Sequence, residues 1–171
     1  MHRALSGLLL SAAIGLVAAV SAQVVPGPPG RPVEPKALAE RAAAGDPWAQ
    51  LNLGAAYDNG LAGYPLDPVL AVGWYRRAAE AGLAEAQFNL AHCLVTGNGT
   101  TRDDGQAFGW MLRAAEQGLA SAQYLCGVML IEGIGTDVDR GQALIWLRRA
   151  AGNGNLDAAS MLQRLQGESG E

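Results

Sequence analysis

The feature that most constrains the fold of this chain is a repeat of 36 residues. Tryptophan and aspartate both recur at this interval, the first as Trp74, Trp110 and Trp146 and the second as Asp67, Asp103 and Asp139. The repeat blocks are predicted at residues 47–82, 83–118 and 119–154, and the first block has one extra residue in its loop. Self-similarity at a period of this size is typical of arrays in which each unit packs only on its neighbours.

Each block is predicted to contain two helices. In the second helix of the first block, apolar side chains follow a helical spacing along one stripe: Ala71, Trp74, Tyr75, Ala78 and Ala79. Both later blocks repeat this stripe. Asp103 and Asp139 each precede a glutamine by three residues. In this arrangement the side chain of each residue is expected to pair with the free backbone amide of the other at the helix start. The first helices are expected to end at left-handed glycines, Gly60, Gly97 and Gly133.

A single helix pair of this length leaves its apolar stripe uncovered, so neighbouring pairs must stack. The predicted fold is therefore all-α, a right-handed α-solenoid of helix-turn-helix repeats. Partial capping helices are expected at residues 36–44 and 155–166, where Gln163, Arg164 and Gln166 would face water. The acidic tail, residues 167–171, is expected to be disordered.

The first 22 residues have the three-part pattern of an export signal. A basic start at His2 and Arg3 precedes an apolar stretch that ends in the small residues Ser21 and Ala22. Cleavage is predicted after Ala22, which makes the mature protein periplasmic or secreted. The alternative is an uncleaved leader, the one way in which this chain would be held at a membrane. Residues 23–35, with five prolines, are predicted to be a linker.

Charge and composition argue against several kinds of site. The formal net charge is −4, which does not favour binding to nucleic acid. With two cysteines and two histidines in the chain, and one of those histidines in the leader, a structural metal site is not expected. The glycine loops follow helices instead of strands, so a phosphate-binding loop is not expected either. No cofactor is predicted.

The two cysteines have two interpretations. Cys93 and Cys126 lie on the packing side of adjacent first helices, where they would be either two buried free thiols or a disulfide formed in an oxidising compartment. Cys93 follows His92 directly, but consecutive helical residues point about 100° apart, which places them poorly as a nucleophile and its base. No catalytic residue is predicted.

A second apolar stripe on the first helices suggests where a partner would bind. In stacked helix pairs the first helices line the concave surface, and an apolar groove there suits an extended segment or a helix. Phe88, His92 and Tyr124 are the expected anchors. The equal alternative is that neighbouring repeats bury this stripe as ordinary core. The predicted groove residues are Leu51, Asn52, Phe88, Asn89, His92, Val95, Tyr124, Val128 and Ile131.

The outer face carries an arginine in each repeat. These arginines recur with the 36-residue period and are expected to form solvated pairs with nearby glutamates. They are Arg77, Arg113 and Arg149. The alternative is a ladder of cations that binds an anion.

The repeat pattern resembles a known family. Ala-Gln, Leu-Gly, Gly-x-Gly, Asp, Ala, Trp and Ala-Ala-Glu-x-Gly together look like the Sel1-like repeat, a relative of the tetratricopeptide repeat with a longer loop. Three copies cover residues 49–154. Gly99 and Gly135 supply the second glycine of the loop, whereas the first block has Leu61-Ala62-Gly63 and is expected to have a different loop.

The resemblance implies an adaptor or scaffold. With the leader, it predicts an exported bacterial module that binds a protein or peptide partner in the cell envelope and has no catalysis of its own. The alternative is a weak hydrolase acting on β-lactams or cell-wall peptide, like some secreted relatives. Those relatives carry a regular cysteine pair in every repeat, which this chain lacks.

Overall fold

The computed structural model describes residues 35–167, and all regular structure within them is α-helical. Eight helices follow one another: α1 Pro35–Ala43, α2 Pro47–Asn59, α3 Pro68–Glu80, α4 Ala84–Thr96, α5 Asp104–Glu116, α6 Ala120–Glu132, α7 Arg140–Gly152 and α8 Leu156–Gly167. The three repeats are the pairs α2–α3, α4–α5 and α6–α7. The fold is the all-α solenoid expected from the sequence.

Aspartate caps define the starts of the second helices. Asp67, Asp103 and Asp139 each accept a hydrogen bond from the backbone amide three residues ahead. The prediction that the Gln106 side chain pairs with the backbone amide of Asp103 is wrong, because that side chain donates to the Asp103 carboxylate. The Asp103 amide donates instead to the carbonyl of Leu94 in the preceding helix. This hydrogen bond connects the start of α5 to α4.

Small side chains set the distance between helices. Each helix packs against its neighbours in the chain, and the contact surfaces are rich in fully buried alanines such as Ala71, Ala107 and Ala143. At Gly54 an added Cβ would lie 2.7 Å from the ring of Tyr75, so α2 approaches α3 too closely for any larger residue. Close helix contact therefore replaces the large aromatic core that this composition lacks.

A buried glutamine joins each repeat to the preceding one. The side-chain amide of Gln87 donates to the carbonyl of Ala79, the residue eight positions earlier, at 3.2 Å. Gln50 and Gln123 make the same hydrogen bond to Ala42 and Ala115. All three glutamines are at most 7% exposed. Because α1 supplies the carbonyl for Gln50, it occupies the place of a second helix before the first repeat.

The loops also join adjacent repeats. Gly135 has φ +67° and lies so close to the first turn of α5 that a Cβ would meet the Asp104 carbonyl oxygen at 1.9 Å. Gly99 approaches Pro68 in the same way, at 2.1 Å. The first loop differs, as expected: Ala62 adopts a left-handed φ of 55° and Gly63 faces open space.

Both ends of the array are closed by single helices. The C-terminal helix α8 starts at Leu156, one residue after the predicted 155, and the N-terminal helix α1 spans Pro35–Ala43 against a predicted 36–44. Gln163, Arg164 and Gln166 are exposed. Within the described part, no helix has the length and apolar character that crossing a bilayer requires. The predicted leader, most of the linker and residues 168–171 lie outside the described residues.

Candidate partner-binding surface

The structure divides the predicted groove residues into two groups. Leu51, Phe88, Val95 and Val128 are at most 7% exposed and belong to the core between repeats. For these four positions the prediction of an open groove is wrong, because each following repeat packs over the preceding stripe. Phe88, at 5% exposed, does not offer its ring to a partner.

Five of the predicted residues keep part of their surface in contact with solvent. They are Asn52, Asn89, His92, Tyr124 and Ile131, one or more from the first helix of every repeat. Asn52 and Asn89 occupy the same position in successive repeats. The Asn52 Oδ1 atom is buried and has no hydrogen-bond partner within residues 35–167, which leaves an unused acceptor in this stripe. These five residues are called the open stripe below.

Tyr124 lies at the end of the open stripe, beside the capping helix. Its ring packs against two clusters of buried side chains. The central core is formed by residues of α2 to α7, and the C-terminal core consists of Val128, Leu147, Ala150, Ala158 and Met161. Burial, and then the negative charge of Asp157, raise the pKa of its hydroxyl, whereas the positive charge of Arg164 opposes them. The hydroxyl therefore stays a neutral hydrogen-bond donor at physiological pH, flanked by one charge of each sign on α8.

The middle of the open stripe covers a small apolar cavity. His92 lines this cavity of about 20 Å³ with side chains of α4, α5, α6 and the loop that follows, and Val95, Met111 and Ile134 are among them. Its lining exposes no polar surface. A space whose lining offers no polar partner does not hold a water molecule, so the histidine lies over packed hydrophobic side chains.

The equivalent place at the first junction is polar. The Asp58 carboxylate accepts hydrogen bonds from the Asn98 side chain at 2.9 Å and from the Tyr75 hydroxyl at 3.4 Å. Burial, with Asp58 nearby, raises the pKa of Tyr75, so the phenol remains a donor. The Asp58 carboxylate is therefore stabilised by hydrogen bonds from two neutral donors.

Neither cysteine is placed as a nucleophile. Cys93 and Cys126 are free and at most 1% exposed. Burial raises the pKa of each thiol to about 12, with Asp58 adding to the effect at Cys93 and Glu116 at Cys126. Both thiols are therefore protonated at neutral pH, which argues against a nucleophile–base pair of Cys93 with His92. No group of three potential metal ligands occurs in the described chain.

The arginines of the outer face stack on tryptophan. The guanidinium of Arg77 lies 4.4 Å from the ring centroid of Trp74, and Arg113 and Arg149 repeat this contact at 4.5 and 4.8 Å on Trp110 and Trp146. The prediction of pairs with glutamates is wrong, because the ion pairs among residues 35–167 are Arg41–Asp46 and Arg102–Asp104. A spacing of three residues on a helix places each cation over its indole.

Comparison with known proteins agrees with the geometry. The sequence model of the Sel1 repeat matches residues 49–83, 84–119 and 120–155. No curated protein matches this sequence. The similar solved structures include a protective antigen present in uropathogenic Escherichia coli strains displaying an SLR fold, and a Sel1 repeat protein from Oxalobacter formigenes.

The likeness covers most of this chain but a minor part of each relative. The Escherichia coli antigen is 35% identical with a TM-score of 0.76, over 78% of this chain and 28% of the antigen. The Oxalobacter protein is 32% identical with a TM-score of 0.69, over 76% of this chain and 37% of that protein. Proteins of this family are typically modules for protein–protein interaction. Three matched repeats over most of the folded region show that the chain belongs to the Sel1 repeat family.

Proposed function

We propose that this protein is an exported interaction module that binds a protein or peptide partner of the bacterial envelope along the open stripe and catalyses no reaction. The observation that carries the proposal is the open stripe itself. Every first helix has at least one hydrogen-bonding side chain with part of its surface accessible, and α6 adds apolar surface at Ile131, although the repeats bury the rest of that face. An extended segment needs this combination of side-chain contacts and backbone partners.

The chemistry of the stripe favours a segment with both apolar side chains and free backbone groups. Tyr124 and Ile131 supply surface for apolar contact, and Asn52 and Asn89 supply amide groups that pair with a peptide backbone. The leader supports export: its basic start, apolar stretch and Ser21-Ala22 ending are those of a cleaved signal. The proposed location is the periplasm or the extracellular medium.

Site-specific photocrosslinking in the intact cell envelope tests this function. A photoreactive residue replaces Tyr124 in one variant, His92 in a second and Ile145 in a matched control. Ile145 lies in the same repeat as Tyr124 but is 41% exposed on the second helix. We expect capture of the same protein from Tyr124 and from His92, and none of it from Ile145. Equal capture at Tyr124 and Ile145, or none at either stripe position, would contradict the proposal. Processing of the leader is checked by the mass of the mature N-terminus.

A further inference from the structure

The last helix of the array ends beside an open cleft. A cleft of about 270 Å³ lies between α6, α7 and α8, and six residues line it: Ile131, Arg140, Leu144, Arg148, Leu165 and Gln166. Within the described residues α8 has the place of a first helix, and the cleft lies beside its last turn.

The residues equivalent to the apolar lining are covered only in part in the earlier repeats. Val72 and Phe108 precede Leu144 at the 36-residue interval; Val72 is 7% exposed, whereas Phe108 is half-buried like Leu144. Val95, the counterpart of Ile131, is also 7% exposed. In the third repeat Leu144 and Ile131 are half-buried. The cleft thus retains apolar surface at Ile131, a position that the second repeat buries as Val95.

The two arginines of the cleft have no ion-pair partner within the part of the chain that the structure describes. Arg140, Leu144 and Arg148 follow a spacing of four residues, so they share one face of α7 with the leucine between the cations. Two turns of helix separate the arginines by roughly 12 Å along the axis. In the second repeat the same positions are Asp104 and Leu112, so this pair of charges is particular to the last repeat.

We propose that this cleft docks an acidic amphipathic helix of a partner protein. One apolar side chain of that helix packs on Leu144 between Ile131 and Leu165. Carboxylates one turn to either side of it pair with Arg140 and Arg148, a geometry that guanidinium groups favour. A helix fits because residues four apart along it repeat the spacing of Arg140, Leu144 and Arg148 on α7. The site shares Ile131 with the open stripe, and its other lining residues lie on α7 and α8.

A designed peptide tests the docking directly. The probe is a fluorescently labelled, alanine-based helical peptide with one leucine and a glutamate four residues to either side of it. Its binding to the full chain is followed by fluorescence anisotropy. The test variant is Arg140→Gln with Arg148→Gln, and the matched control is Arg77→Gln with Arg113→Gln, which removes the same charge from the other repeats. Circular dichroism verifies that both variants are folded.

We expect the cleft variant to lower the affinity about tenfold or more, and the control variant to leave it within about twofold, because a charge-assisted pair contributes more than a distant surface charge. A peptide with glutamine in place of glutamate is expected to bind as weakly as the cleft variant does. No binding, or equal binding to both variants, would overturn the proposal.

A competing occupant is the chain's own acidic segment. Residues 168–171 follow α8 directly and include Glu168 and Glu171. A chain that ends at Gly167 distinguishes the two occupants. Equal affinity of the shortened and full chains for the peptide supports docking of a partner. Binding to the shortened chain alone would overturn it and assign the cleft to residues 168–171. Loss of crosslinking at Tyr124 bears only on the proposed function, since that residue lies outside the cleft.

Discussion

The Asp58 carboxylate and the Asn98 side-chain amide join the first two repeats through a hydrogen bond of 2.9 Å across 40 residues of sequence. At the next junction Val95 and Ile134 take their places and line a common apolar cavity. The neighbouring residue on the second helix of the same repeat changes in the same way, from Tyr75, whose hydroxyl donates to Asp58, to the apolar Met111. One structural position is therefore filled by a polar cluster in one repeat and a hydrophobic cluster in the next.

The polar cluster predicts a measurable coupling between Asp58 and Asn98. We expect Asp58→Ala to lower the free energy of unfolding by about 2 kcal/mol, because the buried Tyr75 hydroxyl loses its acceptor. Asn98→Ala is expected to cost about 1 kcal/mol, and the double variant less than the sum of the two. Urea denaturation of the single and double variants measures these values. Asp137→Ala, at an exposed aspartate, is the control. Equal stability of the Asp58 and Asp137 variants would rule out the coupling.

The loop glycines predict a second and larger effect. Gly135→Ala would place a Cβ 1.9 Å from the Asp104 carbonyl oxygen. Gly63→Ala has an equally left-handed φ, +81°, but meets nothing within 4 Å. The open position is expected to cost about 1 kcal/mol, from the backbone alone.

The crowded position is expected to cost about 3 kcal/mol or more, since two repeats must separate to admit the methyl group. Amide hydrogen exchange is the second readout. It is expected to accelerate in α6 and α7 of the Gly135 variant and to remain unchanged there in the Gly63 variant. Similar unfolding midpoints for the two alanine variants would refute this account of the loop.

The buried glutamines predict a third effect, on contact between repeats. Gln87→Leu keeps most of the side-chain volume but leaves the buried Ala79 carbonyl without this donor. We expect a loss of about 2 kcal/mol in the free energy of unfolding, because the Ala79 carbonyl keeps the Gly82 amide but loses its side-chain donor, and the Gln117 side chain loses the Gln87 oxygen that accepts from it. Gln142→Ala is the control, because that side chain is exposed and the cap uses only its backbone amide. Stability of Gln87→Leu equal to that of the control would show that packing alone holds the repeats together.

The sequence predicted the elements of this fold well because the helices are repetitive. Trp74, Trp110 and Trp146 mark the second helices, and the aspartate caps and terminal glycines mark helix boundaries to within a residue or two. The details that failed depend on groups outside the local segment. The Asp103 amide pairs with Leu94, a residue of the preceding helix, which no local capping pattern reveals.

The candidate surface was less predictable for a similar reason. A helical wheel places Phe88 and Tyr124 on one face, but it contains no information on how far the next repeat covers that face. The structure buries Phe88 and leaves Tyr124 half-exposed beside the capping helix α8. The Trp–Arg contacts have a signal in the sequence, the recurrent spacing of three residues, but arginines at this spacing equally fit an exposed charged face.

Burial of the two thiols predicts slow chemical labelling of the folded protein. Because both are buried and their pKa is raised to about 12, alkylation of the native protein is expected to be slow at pH 8 and to become rapid only with denaturant. Intact mass after labelling in denaturant without reductant is expected to show two modified cysteines. Labelling of neither cysteine before reduction would show instead that Cys93 and Cys126 are bridged.

The same shift makes stability depend on pH. The thiols of the unfolded chain ionise near their ordinary pKa of 9.0, whereas the folded protein retains both protons up to about pH 12. The free energy of unfolding is therefore expected to fall as the pH rises above about 9, since the unfolded state then binds fewer protons than the native state. Replacement of both cysteines by alanine should flatten this dependence between pH 9 and pH 11. An unchanged slope in the double variant would mean that the thiols are already exposed in the folded chain.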